Sequence, residues 1–565
     1  MHATRARHLV LGLAVTAAAV TAAPGVAAAF CGFYINGAGG DMFNDATQVV
    51  LMRKGTRTVL SMQNNYKGPP SEFALVIPVP TVLQEADVKT LPLEVFRRVD
   101  LMGAPRLVEY WEQDPCGVEY DRRREMARPT AKMAGGAPGA APAADDLGVT
   151  IEAQFEVGEY QIVILSAVDS TGLDTWLRRE KYRIPRGAEP FLRPYVEGGM
   201  KFFVAKVDPK KVTFGADGRA ALSPLRFHYD SEEFTLPIRL GLANSSGTQD
   251  LIVSILAPSQ RYEVANYKNV TIPTNLDVRD SVRKNFGAFY AALFDRTIER
   301  NPGAVVTEYA WAASTCDPCP GPNLGWNDFT LLGADVLDTP AGVASDPAGG
   351  AIATDRPDPR SRRPPPPRGR MDFVLTRLHA RYGKTISEDL VFRKADPIVG
   401  GREHRVGGKL EERSAPSTIN NFQARYAIRH WWTGPIRCKS PRRGIWGGPP
   451  GGGRHRPQPA LDLAFAPRKK ASLPGYLVSD VPEVGVRAYR PRRKPKPVTA
   501  PAPPRPPVEA PDPKATGGVK RSPLAPIDPG AHGCACVAGG GSAEDLGLPL
   551  GVLAIALGWR RRRRA

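Results

Sequence analysis

Gln48-Val-Val-Leu-Met-Arg53, Lys54-Gly55, Thr56-Arg-Thr-Val-Leu-Ser-Met62 is the stretch that decides the fold. Two apolar, partly β-branched runs flank a short turn that carries glycine, which is the pattern of a β-hairpin. Phe73-Ala-Leu-Val-Ile-Pro-Val79 supplies a third strand. Its Pro78 has no N–H to give to a ladder, so it marks a strand end or a sheet edge. Working outward, alternation and apolar runs predict further strands at 150–157, 160–168, 201–208, 234–242 and 250–256. An amphipathic helix is predicted over 279–299, where Phe286, Phe289, Tyr290, Leu293, Phe294 and Ile298 recur at three- and four-residue spacing and share one face. A second helix is predicted to carry Phe373, Leu375, Leu378 and Tyr382. Strands and helices do not alternate strictly. The fold class is therefore α+β: strand-rich, mainly antiparallel sheet with a few amphipathic helices, disulfide-stabilised, followed by a disordered Pro/Gly-rich stalk.

The 565 residues include 56 glycines and 56 prolines that cluster late in the chain, so the folded part is smaller than the length implies. At the amino end, Arg5 and Arg7 precede the apolar run Leu9 to Val20, and Ala27-Ala28-Ala29 supplies small residues. That order predicts a secretory signal over 1–29, cut by signal peptidase after Ala29. The remaining layout is a first folded part at 30–128, a flexible Ala/Gly/Pro insertion at 129–148 and the main folded part at 149–335. A Pro/Arg linker at 336–370 leads to a terminal folded segment at 371–447, a Gly/Pro/Arg-rich stalk at 448–531 and a sorting signal at 532–565.

The formal charge of +19 is concentrated in low-complexity stretches such as Arg487 to Lys496 and the final arginines. Basic blocks interleaved with proline are solvated tails, and an exported chain does not meet a genome. Nucleic acid is therefore not an expected partner, whereas anionic envelope polymers or lipid headgroups are. Trp431-Trp432 and Trp446 lie among Arg429, Arg437, Arg442 and Arg443, a combination suited to a glycan or an anionic polymer. The simpler reading of the same stretch is a terminal segment pinned to the core through Cys438.

Export implies an oxidising compartment, so Cys31, Cys116, Cys316, Cys319 and Cys438 are candidates for structural disulfides. Their connectivity does not follow from sequence. Cys316-Asp-Pro-Cys319 has the spacing of a thiol–disulfide oxidoreductase, in which a helix begins at the first cysteine and lowers its pKa. Here Pro320-Gly-Pro322 follows and cannot sustain that helix, which favours a structural disulfide within the pair or to Cys116 or Cys438. Zinc would need a second ligand pair, and only Cys438, His430 and His379 are on offer. Asp230-Ser-Glu-Glu233 lacks the ligand ladder of a calcium loop and reads as a solvated turn. Asn244 and Asn269 stand in N-glycosylation patterns. No nucleophile elbow, zinc-protease motif or phosphate loop is present, so no catalytic residue, metal or cofactor is assigned.

Several motifs occur in order: Phe30-Cys-Gly-Phe-Tyr34, Asn44-Asp-Ala-Thr-Gln-Val-Val50, Gly55 to Asn64, Phe73 to Pro80, Gly158-Glu-Tyr160, Ser170-Thr-Gly-Leu-Asp-Thr-Trp-Leu177 and Phe234 to Leu240. Together they resemble the domain of unknown function 2330 family over residues 30–335, and 371–447 resembles its extended members. The resemblance implies an exported bacterial protein and carries no catalytic residues. At the other end, Gly533-Cys534-Ala-Cys536, the apolar run Leu546 to Trp559 and Arg560, Arg561, Arg562, Arg563 and Arg564 resemble the myxobacterial MYXO-CTERM sorting signal. That resemblance implies a short transmembrane-like helix, contact with the membrane during processing, a sorting protease acting near Cys534, and delivery to the outer membrane or cell surface. The functional expectation is a surface-anchored envelope protein with a structural, adhesive or binding role. The alternatives are an exported hydrolase or oxidoreductase, or a module for anionic polymers or glycans.

Overall fold

A computed structural model describes residues 33–36, 43–67, 73–116, 148–180, 187–212, 219–220, 222–243, 248–338, 372–452, 456–461 and 472–490, with positions 182, 184 and 463. The predicted hairpin is its centre. Phe43–Lys54 pairs antiparallel with Arg57–Lys67, Lys54 opposite Arg57, across a two-residue loop in which Gly55 takes a φ of +57°. That positive φ is open to glycine at no steric cost. Outward from the hairpin the large sheet runs through Leu225–Asp230 and Val88–Thr90 on one side. On the other side it runs through Gln249–Pro258, Phe373–Tyr382, Ala304–Ala312 and Asn421–Gln423. A second, antiparallel sheet has the order Phe33–Asn36, Phe73–Val79, Lys201–Val207, Tyr160–Ala167, Val149–Val157. Phe33 is the last residue to pair and faces Val76, so Pro78 lies beyond that ladder and pairs only with the Lys201–Val207 strand. Its missing N–H costs nothing there.

Four layers result. One face of the hairpin (Val49, Leu51, Leu60, Met62) packs on the second sheet through Leu75, Ile77, Ile162, Ile164 and Phe203. The far side of the second sheet is covered by Ser170–Arg179 and Glu189–Glu197, through Leu173, Leu177, Leu192 and Tyr195. The far side of the large sheet is covered by Leu93–Gly103, through Val95, Phe96 and Val99. It is also covered by Phe286–Arg300, which buries Phe286, Phe289, Tyr290, Leu293 and Phe294 as its spacing predicted. Each such side chain contributes about 1.5–3 kcal/mol by leaving water.

Three expectations are corrected. Phe373–Tyr382 is a strand, not a helix. It lies between Gln249–Pro258 and Ala304–Ala312 with both faces covered, so nearly every position is buried and the period-2 signature is lost. Residues 371–447 are therefore not a separate folded segment; their strands complete the central sheet. The predicted strand at 234–242 stops after Thr235–Leu236. Pro237 gives no N–H, and the Asp389 carboxylate accepts from Ile238 N at 2.8 Å and Arg239 N at 3.2 Å, turning the chain into a short helix. Finally, the expected stalk does not begin at 448. Gln458–Pro459 pairs with the Arg106–Glu112 strand. Leu473, Leu477, Val481, Val484 and Val486 are buried against the Phe286–Arg300 helix. The abundance of proline and glycine hid a sparse set of apolar anchors. Residues 1–32, the 129–147 insertion, the 339–371 linker and everything from 491 onward lie outside the described residues.

Candidate functional site

A smaller sheet forms the rim of the body, with Arg106–Glu112 parallel to Arg425–His430 and Trp446–Gly447 antiparallel beside Glu112. Parallel pairing sets His430 opposite Trp111, and their rings stack at 4.7 Å. Glu109 takes a bidentate pair of bonds from Arg283 at 2.8 and 2.7 Å and meets His430 Nε2 at 2.7 Å. Arg429 bonds Asp277 at 2.9 Å and Glu403, with its guanidinium 5.2 Å from the Tyr110 ring and 4.9 Å from that of Trp446. Positive charge is thus threaded between aromatic rings, where each cation–π contact adds about 0.5–2 kcal/mol.

The loop from Trp431 to Ile445 crosses this rim and is tied down at several points. Cys116 and Cys438 form a disulfide that links positions 322 residues apart. The side chain of Glu112, fully buried, accepts from Trp432 N at 3.0 Å, Gly444 N at 2.8 Å and Arg443 Nε at 2.9 Å. Burial pushes its pKa up, but the two backbone N–H groups and the guanidinium outweigh that and hold the carboxylate below its ordinary value. Gln113 N bonds Ile445 O and Arg442 N bonds Pro115 O, closing both arms of the loop. At Gly434 an added Cβ would come within 2.6 Å of the Trp432 indole, so the ring lies directly on the backbone there. Trp431 (59 % exposed), Ile436 and Ile445 remain on the outside, with Trp431 edge-on to Trp446 at 4.9 Å. The reading of this stretch as a segment pinned through Cys438 holds, and Trp431, Arg437, Arg442 and Arg443 are exposed on it.

Cys316 and Cys319 form the second disulfide, within their own motif. The next helix begins only at Trp326, so no helix dipole acts on either sulfur. The two residues between them are gripped from the core: Gln423 Nε2 bonds Asp317 O at 2.7 Å and Arg106 Nη1 bonds Pro318 O at 2.9 Å. The loop is held by buried groups as well as by its cross-link. Changing both cysteines to serine is expected to cost about 1–3 kcal/mol, the low end for a disulfide that closes so short a loop. Urea unfolding checks this, and thiol trapping is expected to find the pair oxidised before and after exposure to a reduced substrate protein.

Several charges deep in the body are consumed in ion pairs, whereas Arg106 bonds backbone carbonyls. Glu308 accepts from Arg377 Nε at 2.8 Å and Tyr290 Oη at 2.6 Å, and meets His379 Nδ1 at 2.7 Å. Arg377 also bonds Asp100 at 2.5 Å, and Arg381 joins Asp250 to Asp295. A groove of about 650 Å³ lies between the Phe286–Arg300 helix and residues 472–487, with Asp295, Arg296 and Glu299 on its wall. Asp295 is paired with Arg381, and Arg296 with Glu299. Sequence reasoning missed the buried cluster because its members lie on four separate elements; only the charged residues inside otherwise apolar strands, Glu308 and Arg377, signalled it.

The suggested zinc ligands do not meet. His379 is inside the body, His430 is engaged by Glu109 and Trp111, and Cys438 is in a disulfide. Among the described residues no group of three or more His, Cys, Asp or Glu could hold a metal ion. Asp230 pairs with Arg57 at 2.8 Å. The Asn269 amide is taken up by Val264 N at 3.0 Å and Val264 O at 2.8 Å, whereas Asn244 lies outside the described residues. So do Ala29, Cys31, Cys534, Cys536 and Arg560, Arg561, Arg562, Arg563 and Arg564. Among the described residues no helix is long and apolar enough to cross a membrane, and the Leu546 to Trp559 run is not among them.

These features define a four-layered, disulfide-braced α+β protein with a buried ion-pair cluster and an aromatic–arginine loop presented at a sheet rim. The chain belongs to the family described as an uncharacterized protein conserved in bacteria (DUF2330), whose model matches residues 25–393. No curated protein and no solved structure matches it. The matched span contains Glu112 and Cys116, whereas the loop they hold lies beyond it.

Proposed function

We propose that this protein is exported and displayed at the bacterial cell surface, where it serves a structural or adhesive role without catalysis. The observation that carries this reading is the Cys116–Cys438 disulfide, which links positions 322 residues apart and persists in an oxidising compartment. The leader-like 1–29 segment and the tail resembling MYXO-CTERM support the same route. On this reading signal peptidase acts after Ala29 and a sorting protease near Cys534, and the arginine cluster at 560–564 is a temporary membrane anchor. The described residues reach Arg490, and on this reading the proline-rich run to 531 is the stalk. About forty residues of polyproline II at roughly 3.1 Å each would set the body about 100 Å from its anchor.

The test combines protease shaving of intact cells with mass spectrometry of the mature ends. The expected result is peptides from residues 30–490 released from whole cells, a new amino terminus at Phe30 and a processed end near Cys534. An intact chain confined to the cytosol, with Cys116 and Cys438 open to alkylation, would rule the proposal out.

A further inference from the structure

We propose that the Trp431–Trp446 loop is the adhesive contact itself, and that it binds an anionic polysaccharide. The inference rests on the envelope reading above and names the ligand class. From Trp431 to Ile445 the loop carries Arg437, Lys439, Arg442 and Arg443 and no carboxylate. Arg443 is neutralised by Glu112. Arg437 and Lys439 are exposed and, among the described residues, make no ion pair or hydrogen bond, which leaves them available to a polyanion. Unpaired cations on an outward loop attract opposite charge within about 8–10 Å at ordinary ionic strength.

Charge alone would suit any polyanion. Three further observations select a sugar polymer. The first is Trp431, whose ring is 59 % exposed and braced edge-on by Trp446 at 4.9 Å, with Arg443 5.9 Å from its centroid. A fixed indole face offers a platform to the C–H face of a sugar ring, while neighbouring cations meet its carboxylates. The second is rigidity. The disulfide and the Glu112 bonds order the loop before any ligand arrives, so binding does not have to supply the ordering entropy. The third is the shape of the apolar groups. Ile436 (45 %) and Ile445 (46 %) are only half exposed on a cross-linked loop, which cannot sink the 5–10 Å into a bilayer that an interfacial anchor reaches. Nucleic acid and anionic lipid carry charge without a sugar-ring C–H face as the main contact, and they serve as competitors in the test.

The test measures binding of the full chain, disulfides intact, to polygalacturonate, with neutral dextran, single-stranded DNA and phosphatidylglycerol vesicles as comparisons. Binding to polygalacturonate is expected to exceed binding to all three and to weaken as salt rises. Trp431→Ala is expected to lower affinity about tenfold with the salt dependence unchanged, since it removes stacking alone. The double variant Arg437→Glu, Lys439→Glu is expected to lower it at least as much and to flatten the salt dependence. Both changes are on exposed side chains, and an unchanged melting temperature confirms that the body is intact. Equal binding to dextran, tighter binding to DNA or vesicles, or wild-type affinity in both variants would each overturn the inference. A chain that is exported and processed but binds none of the polymers sinks this inference alone. A chain that binds polygalacturonate but stays reduced in the cytosol sinks the envelope reading instead.

Discussion

Replacing Glu308 with alanine is expected to lower the stability of the body by about 3–5 kcal/mol, the cost of breaking a buried ion pair from one side. The Glu308 side chain is fully buried and meets three partners: Arg377, His379 and Tyr290. Alanine would leave a guanidinium that is itself only 1 % exposed with half its carboxylate partners, and the Tyr290 hydroxyl without its acceptor. Glutamine keeps an acceptor and is expected to cost less. Tyr290→Phe removes one hydrogen bond and is expected to cost about 1 kcal/mol. Urea denaturation of each variant, at fixed slope, gives the three values in order.

The same carboxylate sets a pH dependence. Burial raises its pKa, but His379, Arg377 and the Tyr290 hydroxyl together reverse this and bring it from 4.5 down to about 2. The folded value lies below the unfolded one. The stabilisation is therefore complete above about pH 4.5 and is lost as pH falls through about 2, a change on the order of 3 kcal/mol. His379 acts in the same direction from a higher pH. Burial holds it below its ordinary 6.5 despite Glu308, so the unfolded chain takes up that proton first and gains stability as the medium is acidified. The ion pair of Glu308 with Arg377, a permanent cation, carries this coupling, and a neutral His379 donating through Nδ1 fits both directions. Unfolding midpoints between pH 7 and pH 2 should fall more steeply for the wild type than for Glu308→Gln.

The second large effect is expected on changing Cys116 and Cys438 together to serine. A cross-link closing some three hundred residues restrains the unfolded chain strongly, and a loss of about 3–5 kcal/mol is expected. The loss should be uneven. The central sheet does not contain either cysteine, whereas the Trp431–Ile445 loop depends on the bond and on Glu112. Hydrogen exchange should therefore speed up first at the Trp432 and Gly444 amides that bond Glu112. An equal loss of protection across the hairpin Phe43–Lys54 and Arg57–Lys67 would show that the cross-link stabilises the whole body rather than the rim.

The hairpin around Gly55, the strands at 149–157 and 201–207 and the face of the Phe286–Arg300 helix were legible from the chain because each rests on a local period or a turn residue. That no helix begins at Cys316-Asp-Pro-Cys319 was legible too, since Pro320 and Pro322 bar one, but that the two cysteines pair with each other rather than with Cys116 or Cys438 was decided by the tertiary structure. Phe373–Tyr382 was not legible, because a strand covered on both faces has no alternation to read. The packed residues up to 490 were not, because a few anchors such as Leu477 and Val484 are enough to hold a proline-rich segment to a helix.

The sequence by itself determined which residue types were present at the candidate site: tryptophans, arginines and a cysteine within one short stretch. Tertiary structure alone decided which of those charges remain free. Arg443 finds Glu112 and Arg429 finds Asp277, while Arg437 and Lys439 find no partner among the described residues. Pairing falls off with distance in space, and the carboxylates that do the pairing are brought from 152 and more than 300 residues away by the sheet. The period of a strand is written in its own few residues, but the partner of a charge is not.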